Sequence, residues 1–255
     1  MMTASRIVHE RFQLISCWCG LGFFVLFFFG LLPMMGFFPP PSPMMSGEEL
    51  LAKYTENILL IKVGIIVCII GSSLLIPWSV MIAFQVSRME AGRLPFMTVL
   101  SLSAGMINAL LFILPFIFWS GAFYRADRDP ELIRLLNDVT WLEFVMIVPP
   151  YALQMFAIAY AGLTSTAKRE VIPRWFCYFN IWVALLTFPG MLAIIFFEGP
   201  FAWNGILAFY LPVSVFILYF PCSFWVFYRA VKTHKLDVEN SNPSGVENTL
   251  RTVLS

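Results

Sequence analysis

Of 255 residues, 60% are hydrophobic, 17% aromatic and only 12% charged; the net charge is +1 and the mean hydropathy +0.81. A soluble domain carries about 25% charged residues, so this composition excludes a soluble enzyme, a nucleic-acid binder and a disordered chain. It leaves an all-α polytopic membrane protein.

Six uncharged runs cover residues 13–47, 63–87, 94–124, 144–167, 175–197 and 199–228, each at least 23 residues long. About 20 apolar residues cross a hydrocarbon core as a helix, whereas barrel strands alternate polar with apolar, which these runs do not. The predicted spans are 13–38, 58–87, 95–120, 139–164, 175–197 and 205–228, a bundle of six transmembrane helices forming one membrane domain over 1–255. Residues 229–255, polar from Lys232 onward, are expected to be a mobile cytoplasmic tail.

Arg6 and Arg11 precede a first span too long for a signal-peptide core, so it reads as a retained signal anchor. Its phenylalanines, Phe23, Phe24, Phe27, Phe28 and Phe29, offer a lipid- or partner-facing surface. After Pro39, Pro40, Pro41 and Pro43, the sequence Ser46-Gly47-Glu48-Glu49 is a capping-box signal, predicting a short interfacial helix through about Tyr54. In the outer segment after the third span, Asp129 and Pro130 form an N-cap and first-position pair. The fourth helix should therefore start outside the bilayer, with Arg134 and Asp138 paired at i,i+4.

Lysine and arginine set the orientation. Eleven lie on the side holding Arg88, Arg93, Lys168, Arg169, Arg174 and Arg229, and five on the side holding Lys53, Lys62 and Arg125. The richer side should be cytoplasmic, placing both termini inside a plasma (inner) membrane. Trp18, Trp175, Tyr178, Trp225 and Tyr228 at inner ends, and Tyr54, Trp119, Tyr124, Trp141 and Trp203 at outer ends, fit an interfacial belt.

Much chemistry is missing from the spans. Both histidines, His9 and His234, lie in the tails, and Cys17 and Cys19 point to different sides of a helix. No cofactor is expected, and no nucleotide motif occurs. Asp127, Asp129 and Glu131 are interleaved with Arg125 and Arg128, which favours a solvated helix start over a metal site.

Two constellations remain. Lys62 stands 26 positions before Arg88 and Glu143 stands 25 before Lys168, so antiparallel helices place opposite charges at one outer depth. A bundle-facing Lys62–Glu143 pair follows, with Asp138 as a competing partner for Lys62. Near the midpoints of the last five spans lie Ser72 or Ser73, Asn108, Gln154, Thr187 and Ser214, each accompanied by a proline: Pro77, Pro115, Pro149 and Pro150, Pro189, Pro212. Ser101, Asn108 and Pro115, spaced by seven, mark one stripe, and Glu143, Pro150 and Gln154 another. Facing stripes give either a polar cleft or direct amide adhesion.

Lys62, Asn108, Asp138, Glu143 and Gln154 are accordingly the candidate binding residues. The expected function is non-catalytic binding or transport of a small neutral or amphipathic molecule. An accessory or assembly subunit is the alternative, and an outer-leaflet lipid enzyme using Glu143, Asp138 or Glu198 the third. Expected partners are the lipid bilayer and a membrane-protein partner or second copy, with no nucleic acid or nucleotide.

Overall fold

The computed structural model describes residues 2–92, 94–125, 127–167 and 169–241, with side chains from 11 to 233 within those ranges. Arg6, His9, Arg93, Lys168, His234, Lys235 and Arg251 thus carry no side-chain description. Six helical spans are long and apolar enough to cross a membrane: Arg11–Met34, Ile58–Glu90, Phe96–Phe123, Pro130–Leu163, Arg174–Ile194 and Ile206–Thr233. The protein is a multi-pass membrane bundle.

Every span is interrupted at proline. The first consists of α1 (Met2–Phe29) and a π turn, Gly30–Met34, that contains Pro33. Next comes α2 (Gly47–Thr55), then α3 (Ile58–Ser73) and α4 (Leu75–Glu90) as the second span. The third span divides into α5 (Phe96–Leu111) and α6 (Leu114–Phe123), and the fourth into α7 (Pro130–Met146) and α8 (Val148–Leu163). The fifth is α9 (Arg174–Thr187) followed by a 3₁₀ stretch, Phe188–Ile194; the sixth is a π turn, Ile206–Tyr210, followed by α10 (Leu211–Ser241).

The physical reason is uniform in the last five spans. Pro77, Pro115, Pro149, Pro150, Pro189 and Pro212 each stand in the first turn of a new segment, where the backbone N–H has no intrahelical partner and its loss costs nothing. Carbonyls exposed at the breaks find side chains instead. The Ser72 hydroxyl donates to the Phe112 carbonyl at 3.0 Å, tying the second span to the break between α5 and α6.

Spans adjacent in sequence are adjacent in space. α4 packs on α5, α5 on α8, α6 on α7 and α8 on α9, while α1 contacts α3 and α4 on one side and α10 on the other. With α9 also against α10, the six spans close a ring in chain order. Short connections between antiparallel neighbours make that the simplest topology.

Glycine sets the closest approach within the ring. A Cβ on Gly71 would lie 3.0 Å from the Leu26 Cβ, and one on Gly64 would lie 3.0 Å from the Gly30 carbonyl oxygen, so α1 and α3 touch nearly backbone to backbone. Such contacts gain dispersion energy where lipid offers no hydrophobic drive.

Local start signals hold. Ser46 caps α2 in a complete capping box with Glu49, and the Asp129 carboxylate accepts the Glu131 N–H at 2.8 Å. Arg134 differs from expectation: its partner is Glu131, one turn back at 3.6 Å, rather than Asp138. The first span ends at Met34 rather than 38, because Gly36 takes a positive φ of 64° and turns the chain. At the start of the expected tail α10 continues as helix through Ser241; residues 242–255 lie outside the described residues.

The aromatic belt is asymmetric. Trp18, Trp175, Tyr178 and Trp225 are exposed at the Arg-rich end, as interfacial residues should be. At the other end Tyr124 is exposed, but Tyr54, Trp119, Trp141 and Trp203 are buried. They form a plug under the Pro-rich segment and α2: Phe37 lies 4.5 Å from Trp119, Trp119 lies 5.3 Å from Trp141, and Tyr54 lies 4.9 Å from Phe123 (ring centroids). The Trp203 indole N–H donates to the Pro41 carbonyl at 2.8 Å, pinning the last outer loop to the proline run.

Phe23 and Phe27 are likewise buried rather than lipid-facing, and only Phe29 of the first-span cluster is strongly exposed. Five phenylalanines within seven residues spread around a helix, so they cannot share one surface.

Candidate functional site in the bundle core

The bundle interior carries Ser72, Ser101, Asn108, Gln154, Asn180 and Thr187 as buried polar residues; Ser214 is exposed. Four of the five spans with an expected midplane polar group therefore turn it inward.

Asn108 on α5 and Gln154 on α8 meet directly. The Asn108 Nδ2 donates to the Gln154 Oε1 at 3.2 Å. Glycine at 105 permits the approach, since a Cβ there would lie 2.5 Å from both the Gln154 Nε2 and the Ser79 Oγ. The bond uses half of each amide. The Asn108 Oδ1 and Gln154 Nε2 are buried without a hydrogen-bond partner, as are the Tyr151 hydroxyl and the Ser101 Oγ. Exchanging O and N in both amides would still leave one donor and one acceptor over.

Two hollows adjoin the amide pair and Tyr151. The first, about 20 Å³, is lined by Ser79, Gly105, Asn108, Tyr151, Gln154 and Tyr219 among others. It has room for one water but not for a ligand. The second is an apolar crevice of about 50 Å³ walled by Phe27, Phe28, Phe144, Phe209, Phe216 and Phe220. It lies where the breaks after Phe29, Met146, Thr187 and Tyr210 converge, and Ile147, Val148, Thr187 and Pro212 also line it. Phe112, Tyr151 and Phe220 border both hollows, so Tyr151 stands between the aromatic crevice and the amide pair. No charged residue lines either.

The charged candidates lie elsewhere. Lys62 is exposed, among the exposed Leu59, Val63 and Ile66, whereas α3 packs through Ile61, Ile65 and Cys68. Both carboxylate oxygens of Glu143 are enclosed and have no hydrogen-bond partner, so the Lys62–Glu143 pair does not form. Depth counting says nothing of rotation: Lys62 is turned about 100° from Ile61, away from the face through which α3 packs. Asp138 is half-buried beside Asn137. Lys62, Asp138 and Glu143 line neither hollow. Glu143 and Gln154 do not lie on one continuous helix, because Ile147 (ψ 25°) separates α7 from α8.

Several contributors went unread in the sequence. Tyr151 lies three residues before Gln154, a spacing that places both on one helical face and could have revealed it. The Asn180 Nδ2 donates to the Phe176 carbonyl at 2.7 Å and its Oδ1 accepts the Tyr219 hydroxyl at 3.2 Å, linking α9 to α10. Gln85 donates to the Gln13 Oε1 at 2.7 Å and accepts from Arg88 at 2.5 Å, a ladder from the bundle to its Arg-rich end. Among the described residues no group of three or more His, Cys, Asp or Glu gathers.

Comparison with protein families, with curated proteins and with solved structures finds no match to this chain. The site must speak for itself.

Proposed function

We propose that the protein is a non-catalytic membrane binding protein for a mostly apolar, uncharged molecule carrying one small hydrogen-bonding group, a hydroxyl or a carbonyl. The observation that carries this is the set of unpartnered polar atoms, Tyr151 Oη, Gln154 Nε2 and Asn108 Oδ1, beside an aromatic crevice. Buried polar atoms without partners are rare in folded proteins, and each calls for an explanation. Here a donor and an acceptor remain over beside walls that favour an apolar body. A charged ligand is disfavoured, because no opposite charge lines the space. The crevice is narrow, which suits a methylene chain entering from lipid better than an enclosed ring system. In this reading the Arg-rich end and both termini face the cytoplasm across the plasma membrane.

A second reading has its own observation. The direct Asn108–Gln154 bond with a one-water gap is what helix adhesion requires, and it suits an accessory subunit without a ligand.

One experiment separates them. The protein is purified in mild detergent, and its organic extract is compared by mass spectrometry with those of Tyr151→Phe and Val213→Trp, the latter filling the crevice wall. Binding predicts a neutral molecule enriched over bulk lipid in the wild type and depleted in both variants. Adhesion predicts no enrichment, and a Tyr151→Phe protein as stable as the wild type or more so, because an unpaired buried hydroxyl is lost. That second pattern would remove the binding function.

A further inference from the structure

A cleft of about 280 Å³ opens at the Arg-rich end of the bundle, remote in sequence from most of the aromatic crevice. Three guanidinium groups line it from three elements: Arg88 at the end of α4, Arg169 in the connection between α8 and α9, and Arg229 on α10. Thr233 adds a hydroxyl and Trp225 an indole wall. Among the described residues the cleft is lined by one carboxylate, Glu170, which accepts the Arg174 N–H at 3.0 Å.

Two of these cations are held in place. Arg88 donates to the Gln85 Oε1 and, at 3.2 Å, to the Ala230 carbonyl, which fixes its guanidinium between α4 and α10. The Arg229 guanidinium sits 4.8 Å above the centre of the Trp225 ring, an arrangement that orients a planar cation by attraction to the ring face. Planar N–H forks match phosphate oxygens, and arginine is favoured over lysine where that match matters.

Location narrows the anion further. Trp225 and Trp175 are exposed on this end, the depth at which tryptophan marks the headgroup layer. The remaining walls include Val171, Pro173, Val226 and Ala230. A phosphate there would have basic groups around it and apolar surface beside it. Basic pockets between transmembrane helices on the basic face hold acidic headgroups for the same reason.

We propose that this cleft binds the phosphate of an anionic lipid headgroup in the leaflet at the Arg-rich end. The site is independent of the ligand proposed for the aromatic crevice.

The test uses the full chain in nanodiscs of phosphatidylcholine doped with phosphatidic acid or phosphatidylglycerol, with retained lipid counted by native mass spectrometry. Wild-type protein should retain the anionic lipids over phosphatidylcholine. Arg169→Gln and Arg229→Gln should each weaken retention by roughly tenfold, the worth of one charge-assisted hydrogen bond. Lys53→Gln, at the opposite end, should not change it. Size-exclusion profiles and an Arg229→Lys variant with intermediate retention show that the proteins remain folded. Equal retention of zwitterionic and anionic lipid, or full retention in both glutamine variants, overturns the proposal. Displacement of the lipid by inorganic phosphate at low millimolar concentration overturns the lipid assignment in favour of a soluble phosphate.

Discussion

Tyr54 ties the outer helix to the bundle through its hydroxyl as well as its ring. Its hydroxyl donates to the Asn137 Oδ1 at 2.7 Å in a buried setting, while the Asn137 Nδ2 has no partner. Tyr54→Phe therefore leaves the whole amide unsatisfied, and should cost about 1–3 kcal/mol in a denaturant or thermal series. Burial, with a smaller contribution from Asp138, pushes the Tyr54 phenol above its ordinary value, against the opposing Trp141 indole. A raised folded-state value means that its stabilisation is complete below about pH 10, where an unfolded tyrosine ionises, and is lost as pH climbs beyond. A thermal midpoint followed from about pH 9 to 11 should fall less steeply in Tyr54→Phe than in the wild type. Gly105 is the other sensitive position. Gly105→Ala drives a methyl into Gln154 and Ser79, and overpacking of that kind costs about 1–3 kcal/mol. The expected readout is a lowered midpoint, and an unchanged one would mean that the amide pair can move aside freely.

At the scale of elements, the caps were plain in the sequence where donor and acceptor were close in sequence. Ser46 with Glu49, and Asp129 with Pro130, are signals within four residues, and both form. The cap of α5 was hidden because it comes from the preceding helix. Glu90 accepts the Met97 N–H at 2.9 Å and the Thr98 N–H at 3.0 Å across the connection, together with the Thr98 hydroxyl. A carboxylate at a helix N-terminus also meets the positive end of the helix dipole. Glu90→Gln should cost about 1 kcal/mol, and Glu90→Ala more, with hydrogen exchange rising first at Met97 and Thr98. Protection unchanged at those two amides in Glu90→Ala would show that the cap contributes nothing. The helix breaks were legible as well, since proline dictates them, but which carbonyls they freed and which side chains answered were not. Ser72 reaching Phe112 on another span is one such answer.

Over the whole molecule, six spans, an even number, put the start of the first span and the end of the sixth on one face. Reporter fusions after Ser241 and near Arg125 should therefore report opposite sides of the membrane, and the proposed orientation requires the Ser241 fusion to report the cytoplasm. The ring also decides the fate of the outer charges. Because Lys62 is turned to lipid and Glu143 inward, Lys62→Glu combined with Glu143→Lys should give the sum of the single effects within about 0.5 kcal/mol. Recovery of stability in the double variant would restore the direct pair.

Composition and charge-free runs were enough to determine the number of spans, their approximate limits and the proline breaks, because hydrocarbon imposes length and backbone satisfaction on every segment separately. Depth was legible too, which is why Asn108 and Gln154 met as their positions suggested. Rotation was not. Which way a helix faces depends on its neighbours, and a break such as the one at Ile147 interrupts counting along a span. Tertiary packing alone turned Lys62 outward, and gathered four breaks around an aromatic crevice. It also buried Trp119 and Trp141 in a plug, because a span uniformly apolar on all sides encodes its depth in the bilayer but not its orientation within the bundle.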